Sequence, residues 1–517
     1  MLHRLDLKRA LRDPAMTLRS NLIANVAGKA WSGAMGFAFV PFYIRFLGIE
    51  AYGLIGFFVS LLALFFVLDM GLSVAITREL AKRTSDHDKT EVRDMVRTLE
   101  VIYWSIGIVL GGGVVMAAPL LASGWLHPQT LSLETTTAAV RMIGLVIMLR
   151  WPVTLYSGAL AGLERQVQLN LLTASYATIQ GGGAVLVLWL VSPTITAFFS
   201  WQLIAAAAQI TLMVVAVWRS LPITSSSPAF RPAALASMAS FSAGIFGITI
   251  LSVILNQLDK FMLSRLLPLS VFGTYSLAGT VAASLNLAAM AIYAAVFPRL
   301  SRLVAGELSG ELVRTYHKCA QLTSALVIPA GLTLALFARE LLTLYVHDPA
   351  IVDPAAPLLR LLVIGNIFLS LMLLPLALQL AYGWVKLSLY KNIVAVAIFV
   401  PLLWIMVSRY GPIGAASVWI VLTAGYFLIE VPIMHARLLR TEKWRWYLLD
   451  VGLPAGIALV VLGGLRLMLP VTAPLAVSVP LIAAAAAVTF GASLAAMPST
   501  RASLLAAINQ FRGSRLA

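Results

Sequence analysis

The sequence predicts an all-α integral membrane protein of about fourteen transmembrane helices, in two six-helix lobes followed by two C-terminal helices. Three observations carry this expectation. Of the 517 residues, 60% are hydrophobic and only 11% charged, and the mean hydropathy is +0.92. Soluble domains run at about 45–50% apolar and about 25% charged residues, so a soluble chain of this composition would have too little polar surface to cover it. The apolar residues are gathered into recurrent stretches of about 20, the length needed to cross a bilayer as a helix. Related text also recurs at a fixed offset of about 220 residues, as in transporters built from two related halves.

The candidate spans are 21–47, 51–76, 99–122, 139–162, 170–191, 195–218 and 238–266, then 271–296, 318–338, 356–381, 388–407, 413–434, 448–468 and 473–496. The first run is long and carries Lys29, so it reads as a retained span rather than a cleaved signal. The Ser- and Pro-rich stretch SLPITSSSPAFRPA, from Ser220, resists a regular helix and reads as a linker. Residues 78–97 alternate in sign and read as a solvated, salt-bridged helix. The expected divisions are a cytoplasmic segment 1–19, an N-lobe 20–219, a linker 220–236, a C-lobe 237–436, the last two spans within 437–497, and a cytoplasmic tail 498–517.

The net charge of +16 is not a nucleic-acid signature, because the 37 basic residues recur in short clusters between spans. They fall on alternate loops, and the positive-inside rule then places both termini in the cytoplasm. The repeat supports the same count. RFLGIEAYGL from Arg45 corresponds to RLLPLSVFGT from Arg265, Arg78 falls beside Arg299, and Gly162 with Arg165 falls near Gly383 with Lys386. Six spans per copy is even, so the two lobes run parallel, related by a pseudo-two-fold along the membrane normal.

Charges within spans are expensive and normally face water or a partner. Lys29, Arg150, Asp259 and Lys260 stand out. Asn21, Asn25, Lys29 and Ser32 share one face of the first span, as do Ser252, Asn256 and the Asp259–Lys260 pair on the seventh. These two helices are counterparts in the repeat, and matching polar stripes suit a central polar cavity. Asp259 and Lys260 are adjacent, point about 100° apart, and are not expected simply to neutralise each other. The structural alternative is a buried ion pair, Asp259 with Lys29 or Arg150, locking helices together. Arg150 opens Arg-Trp-Pro, and Pro152 can kink the span. Asp69 and Glu430 lie nearer span ends and read as helix-end packing. The glycine runs 111–113 and 181–183 read as helix-packing surfaces rather than phosphate loops.

Catalytic and metal chemistry find no support in the sequence. It contains no HExxH, no GxSxG and no nucleotide-binding loop, so no enzyme activity, cofactor or metal site is expected. Cys319 is the single cysteine and no intrachain disulfide forms. His3, His87, His127, His317, His347 and His435 are at no metal-ligand spacing and read as interfacial or loop residues.

The runs PFYIRFLGIEAYGLIGF, LLALFFVLDMGLSVAITRELA, NQLDKFMLSRLLPLSVFGTYSLA and FPRLSRL resemble the polysaccharide-transporter family of O-antigen-type oligosaccharide-lipid flippases, within the multidrug/oligosaccharidyl-lipid/polysaccharide exporter superfamily. The resemblance covers about residues 20–440. It implies a multi-pass protein of the bacterial inner membrane that moves undecaprenyl-diphosphate-linked oligosaccharide from the cytoplasmic to the periplasmic leaflet by alternating access. It further implies a proton or sodium gradient as drive, membrane lipids as surroundings, and a periplasmic-side polymerase as partner. On that reading Lys29, Arg150 and Lys260 are the cationic contacts for diphosphate or glycan. Asn21, Asn25, Ser32, Ser252 and Asn256 line the cavity, and Asp259 is the ion-coupling carboxylate. Trp31, Trp151 and Trp189 could stack on sugars, though packing suits them better. The alternatives are a peptidoglycan lipid-precursor flippase, a multidrug or cation antiporter of the same superfamily, and, from another class, a membrane-embedded glycan polymerase. The last would need a large external loop, and the loops here are short.

Overall fold

The computed structural model describes residues 27–83, 89–224, 227–470 and 473–497. Asn21 and Asn25 lie outside the described residues. Every described element is helical, and eleven helices are long and apolar enough to cross a membrane, a number compatible with fourteen crossings. Two expected breaks lie inside continuous helical runs. Gly48 (φ 79°) and Gly411 (φ 57°) take the left-handed backbone that glycine adopts without a Cβ penalty, and each turns the chain between two expected spans.

The chain folds as two compact units, residues 1–273 and 274–517. This division falls one helix later than the linker suggested. In the first unit, α1 (27–38) precedes α2 (Val40–Phe65), α3 (Leu72–Arg83) and α4 (Lys89–Gly124). Then come α5 (Leu133–Arg150), α6 (Val153–Gly162), α7 (Gln166–Leu190), α8 (Ile195–Ser220) and α9 (Ala233–Leu266). α9 packs on α2 and α3, with Phe57 and Phe261 edge-to-face at 6.5 Å, which is why it belongs with the first unit. The segment between α8 and α9 is non-helical where described, as its Ser/Pro content predicts.

Lipid tails are as apolar as leucine, so helix contact here rests on close packing rather than on burial from water. The glycine runs provide it. A Cβ on Gly111 would lie 2.5 Å from the Gly144 carbonyl oxygen, and one on Gly144 would lie 2.7 Å from that of Gly111, so α4 and α5 meet backbone to backbone. Gly181 receives the Phe39 ring and Gly183 the Trp201 indole. Met116, Leu120 and Val109 on the far side of α4 are exposed, as a lipid-facing surface requires.

The second unit takes most of α10 (Leu269–Ala305), then α11 (Ser309–Leu336), α12 (Ala338–Val346), α13 (Pro349–Leu371) and α14 (Leu373–Ala381). It continues with α15 (Val385–Gly425), α16 (Val431–Leu438), α17 (Leu453–Met468) and α18 (Leu475–Ala496). α11 is its centre, packing on α13, α17 and α18, and Tyr316, Phe337 and Trp446 are buried in its core. Two π-helical segments interrupt the α pattern, Tyr426–Glu430 and Trp446–Gly452. Such wide turns occur mostly where function or strain requires them.

Candidate functional site

In the first unit, α7 gathers the residues named from the sequence. Gly28 lies so close to it that a Cβ there would sit 2.8 Å from Asn170 Oδ1. Trp31 donates its indole N–H to Thr178 Oγ1 at 2.8 Å, and Tyr43 donates to the Gly181 carbonyl at 3.2 Å. This leaves Lys29 exposed on α1 and Ser32 half-buried. Arg150 is the last residue of α5, where the helix breaks at Trp151–Pro152 before resuming as α6. Its guanidinium stands 5.4 Å over the Tyr176 ring of α7. Among the described residues no carboxylate forms an ion pair with Lys29 or Arg150. Trp151 is buried, stacked on Tyr103 at 6.2 Å, whereas Trp31 and Trp189 are exposed.

The α9 stripe forms a ladder. Asn256 donates its amide to the Ser252 carbonyl and Lys260 Nζ donates to the Asn256 carbonyl, each at 2.7 Å. Asp259 is buried and its carboxylate lies 3.8 Å from Lys260 Nζ. The two heads thus approach each other although their backbone directions diverge by about 100°. The long lysine stem curls back along the helix, so a 100° separation at the backbone does not keep the heads apart. The same compact unit therefore holds Lys29, Arg150 and Lys260.

The other buried carboxylates of this unit are structural. Asp69 accepts from the Ser73 hydroxyl at 2.7 Å and from Tyr103, closing the end of its 3₁₀ turn as expected. Glu50 accepts the backbone N–H groups of Gln129, Thr130 and Leu131, fixing that loop. Glu100 accepts from Tyr156, Trp218 and Arg97. Asp94, expected on a solvated face, is buried and pairs with Arg231 at 2.7 Å.

The second unit holds two clusters that the sequence reading did not assemble. In one, Lys391 Nζ lies 2.8 Å from Glu430 Oε2 and 4.3 Å from the Tyr426 ring centroid, while Gln379 donates to Glu430 Oε1 at 2.9 Å. Glu430 is buried, so this is a desolvated ion pair. It closes one end of an apolar groove of about 430 Å³ between the two arms of α15, walled by Val394, Ile398, Val421 and Leu422.

In the other cluster, His317 is buried with a carboxylate at each ring nitrogen. Nδ1 meets Asp450, and Nε2 lies 2.9 Å from Glu442 Oε2. Gln321 donates to the second Asp450 oxygen at 2.8 Å, and Arg445 reaches Glu442 at 3.4 Å. A neutral imidazole donates one hydrogen bond, so only the imidazolium serves both carboxylates. Burial acts to raise the proton affinity of Glu442. The charge and hydrogen bond of His317, joined by Arg445, outweigh it and hold Glu442 below the usual carboxylate range. Next to this cluster His435 is fully buried, its Nδ1–H donating to the Val431 carbonyl at 2.9 Å. Reading these two histidines as interfacial is therefore corrected: each sits inside a helix junction. The signal available was weak, namely Gln321 one turn after His317 and two acids flanking the start of one span.

These helices and breaks make a multi-helix membrane fold. The same arrangement occurs in the inward-closed structure of the lipid II flippase MurJ, with a TM-score of 0.65 at 13% identity over 92% of this chain and 97% of that one. An inward-facing multidrug-resistance MATE family transporter of the MOP superfamily matches with a TM-score of 0.60 at 14% identity, covering 80% of this chain and 95% of that one. Residues 18–304 match the family model described as "Polysaccharide biosynthesis protein" and residues 245–405 match the MatE model. The chain belongs to this polysaccharide biosynthesis protein family. A "Putative O-antigen transporter" of Shigella flexneri is 24% identical over 410 residues, 78% of this chain and 94% of that protein.

Proposed function

We propose that this protein is a flippase carrying a polyprenyl-diphosphate-linked oligosaccharide from the cytoplasmic to the periplasmic leaflet of a bacterial inner membrane, with both termini cytoplasmic. One observation carries the reading. In the second unit Lys391 is matched by Glu430 and Arg466 by Glu340, whereas Arg150 is held over Tyr176 and pairs with no carboxylate among the described residues. An unmatched cation inside a span is costly unless the cargo supplies the counter-charge, and a diphosphate does so. Lys29, exposed on α1, is a second contact for that anion, with Ser32, Ser252 and Asn256 as polar lining.

Asp259, 3.8 Å from Lys260 Nζ, is the carboxylate assigned to ion coupling in this reading. The fluid polyprenyl tail remains in lipid, and a polymerase on the far side would consume the delivered unit.

The test is a leaflet-translocation assay in vesicles with a fluorescent polyprenyl-diphosphate oligosaccharide. Arg150→Ala and Lys29→Ala should cut the rate at equal protein levels. Full transport by the double variant would refute the reading. Rescue of a strain lacking its lipid II flippase, without effect on surface glycan, would move the assignment to a peptidoglycan precursor, which carries the same diphosphate.

A further inference from the structure

Besides the cationic residues of the first unit, the second unit contains a titratable cluster that cargo binding does not use. It joins α11 to the helical turn Lys443–Arg445 and the π segment behind it. We propose that His317, clamped between Glu442 and Asp450, is a proton-binding site whose loaded state fixes the 439–452 segment to α11 and whose proton loss releases it.

The burial gradient gives the proton a route. The Glu442 side chain is 19% exposed, His317 2% and Asp450 0%. Glu442 thus stands at the water-facing end, His317 in the middle and Asp450 at the closed end. In the loaded state the imidazolium donates Nδ1–H to Asp450 and Nε2–H to Glu442. On release the Nε2 proton passes to the Glu442 carboxylate and from there to water as hydronium. The N–H electron pair stays on Nε2 and the ring becomes neutral. The formal charge of His317, Asp450 and Glu442 together then goes from −1 to −2. The Nε2 lone pair would face a re-ionised Glu442 carboxylate 2.9 Å away, a contact with no hydrogen between two acceptors. Glu442 must then swing out with its loop, which Arg445 can follow.

Tyr316, His435, Tyr447 and Gln321 also face the cluster, Thr441 donates its hydroxyl to Glu442 at 3.3 Å, and Lys318 on α11 is exposed. Tyr447 donates to the Phe427 carbonyl at 2.6 Å. His435 connects the cluster to the second buried acid: its ring centroid lies 5.9 Å from Tyr316 and 5.8 Å from Trp446, and its Nδ1–H is held by Val431, next to Glu430. Both buried acids, Glu430 and Asp450, are carried on π segments, and each also takes a glutamine amide. A π turn carries one residue more than an α turn and can shift along the helix, so release at His317 has an element ready to move.

The site requires no particular cargo, so its test uses none and leaves the flippase reading untouched whichever way it falls. Spin labels at Arg314→Cys and Arg440→Cys, both exposed, on a Cys319→Ser background in phosphatidylcholine/phosphatidylglycerol nanodiscs, report the spacing of α11 and the Glu442 loop. Raising the pH from mildly acidic to alkaline should lengthen the distance distribution. His317→Gln should give one distribution at both pH values. Glu442→Gln, whose amide can donate to neutral Nε2, should also abolish the response while keeping the short distance. A wild-type distribution that ignores pH, or an unchanged response in Glu442→Gln, would overturn the proposal, even if His317→Gln fails to fold.

Discussion

Replacing Lys391 by methionine tests whether the groove-end pair is architecture rather than cargo site. Met keeps the length and apolar stem of lysine and removes the charge. Glu430, whose side chain is 2% exposed, would keep Gln379 on one oxygen and lose the cation 2.8 Å from the other. Removing one partner of a buried pair costs about 3–5 kcal/mol, because the remaining charge stays desolvated. Lys391 is itself 19% exposed, so water can approach the vacated side and the lower end of that range, about 3 kcal/mol, is expected. Replacing both residues, Lys391→Met with Glu430→Met, removes the stranded charge and should recover most of the loss. Unfolding midpoints in detergent for wild type, both single variants and the double variant close the cycle. A double variant as unstable as Lys391→Met would refute the claim that desolvation dominates. Loss of glycan transport by a double variant that stays folded would refute the structural assignment.

Three further expectations rest on the geometry. Arg150→Lys should transport less than wild type and more than Arg150→Ala in the vesicle assay, since lysine keeps the charge but loses the planar stack on Tyr176. Gly144→Val should destabilise the α4–α5 hairpin by about 1–3 kcal/mol, read as a lower unfolding midpoint, because its Cβ has no room beside the Gly111 carbonyl. Glu442 has a depressed folded-state pKa, so its contribution to stability is complete above its ordinary value of 4.5 and is lost as pH falls below that through the folded value. The acid sensitivity of the unfolding midpoint in that window should therefore be weaker in Glu442→Gln.

The membrane fold was legible because a bilayer imposes one length on every crossing, and apolar runs of that length survive any uncertainty about contacts. Even the breaks at Gly48 and Gly411 fell in the expected gaps. Arg150 was visible for a related reason: a guanidinium in apolar text has no local excuse. The second-unit clusters were illegible because their members are far apart in sequence. His317 is 133 residues from Asp450 and 125 from Glu442, and Glu430 is 51 from Gln379. Each looks ordinary alone, near a span end where charge is common. The approach of Lys260 to Asp259 was not legible for a different reason. Backbone direction was read correctly, but a flexible lysine stem is free to ignore it.

The segment after α8 has a consequence for assembly. Arg93 donates to the Pro222 carbonyl at 3.3 Å, and a few residues on, Asp94 accepts the Ala229 N–H at 2.7 Å while Thr98 accepts the Arg231 N–H at 2.8 Å. Both flanks of the linker are thus stitched to the same turn of α4, and each is held there without help from the peptide bonds between them. A gene cut there and expressed as two polypeptides should yield fragments that find each other and reseal into one working protein.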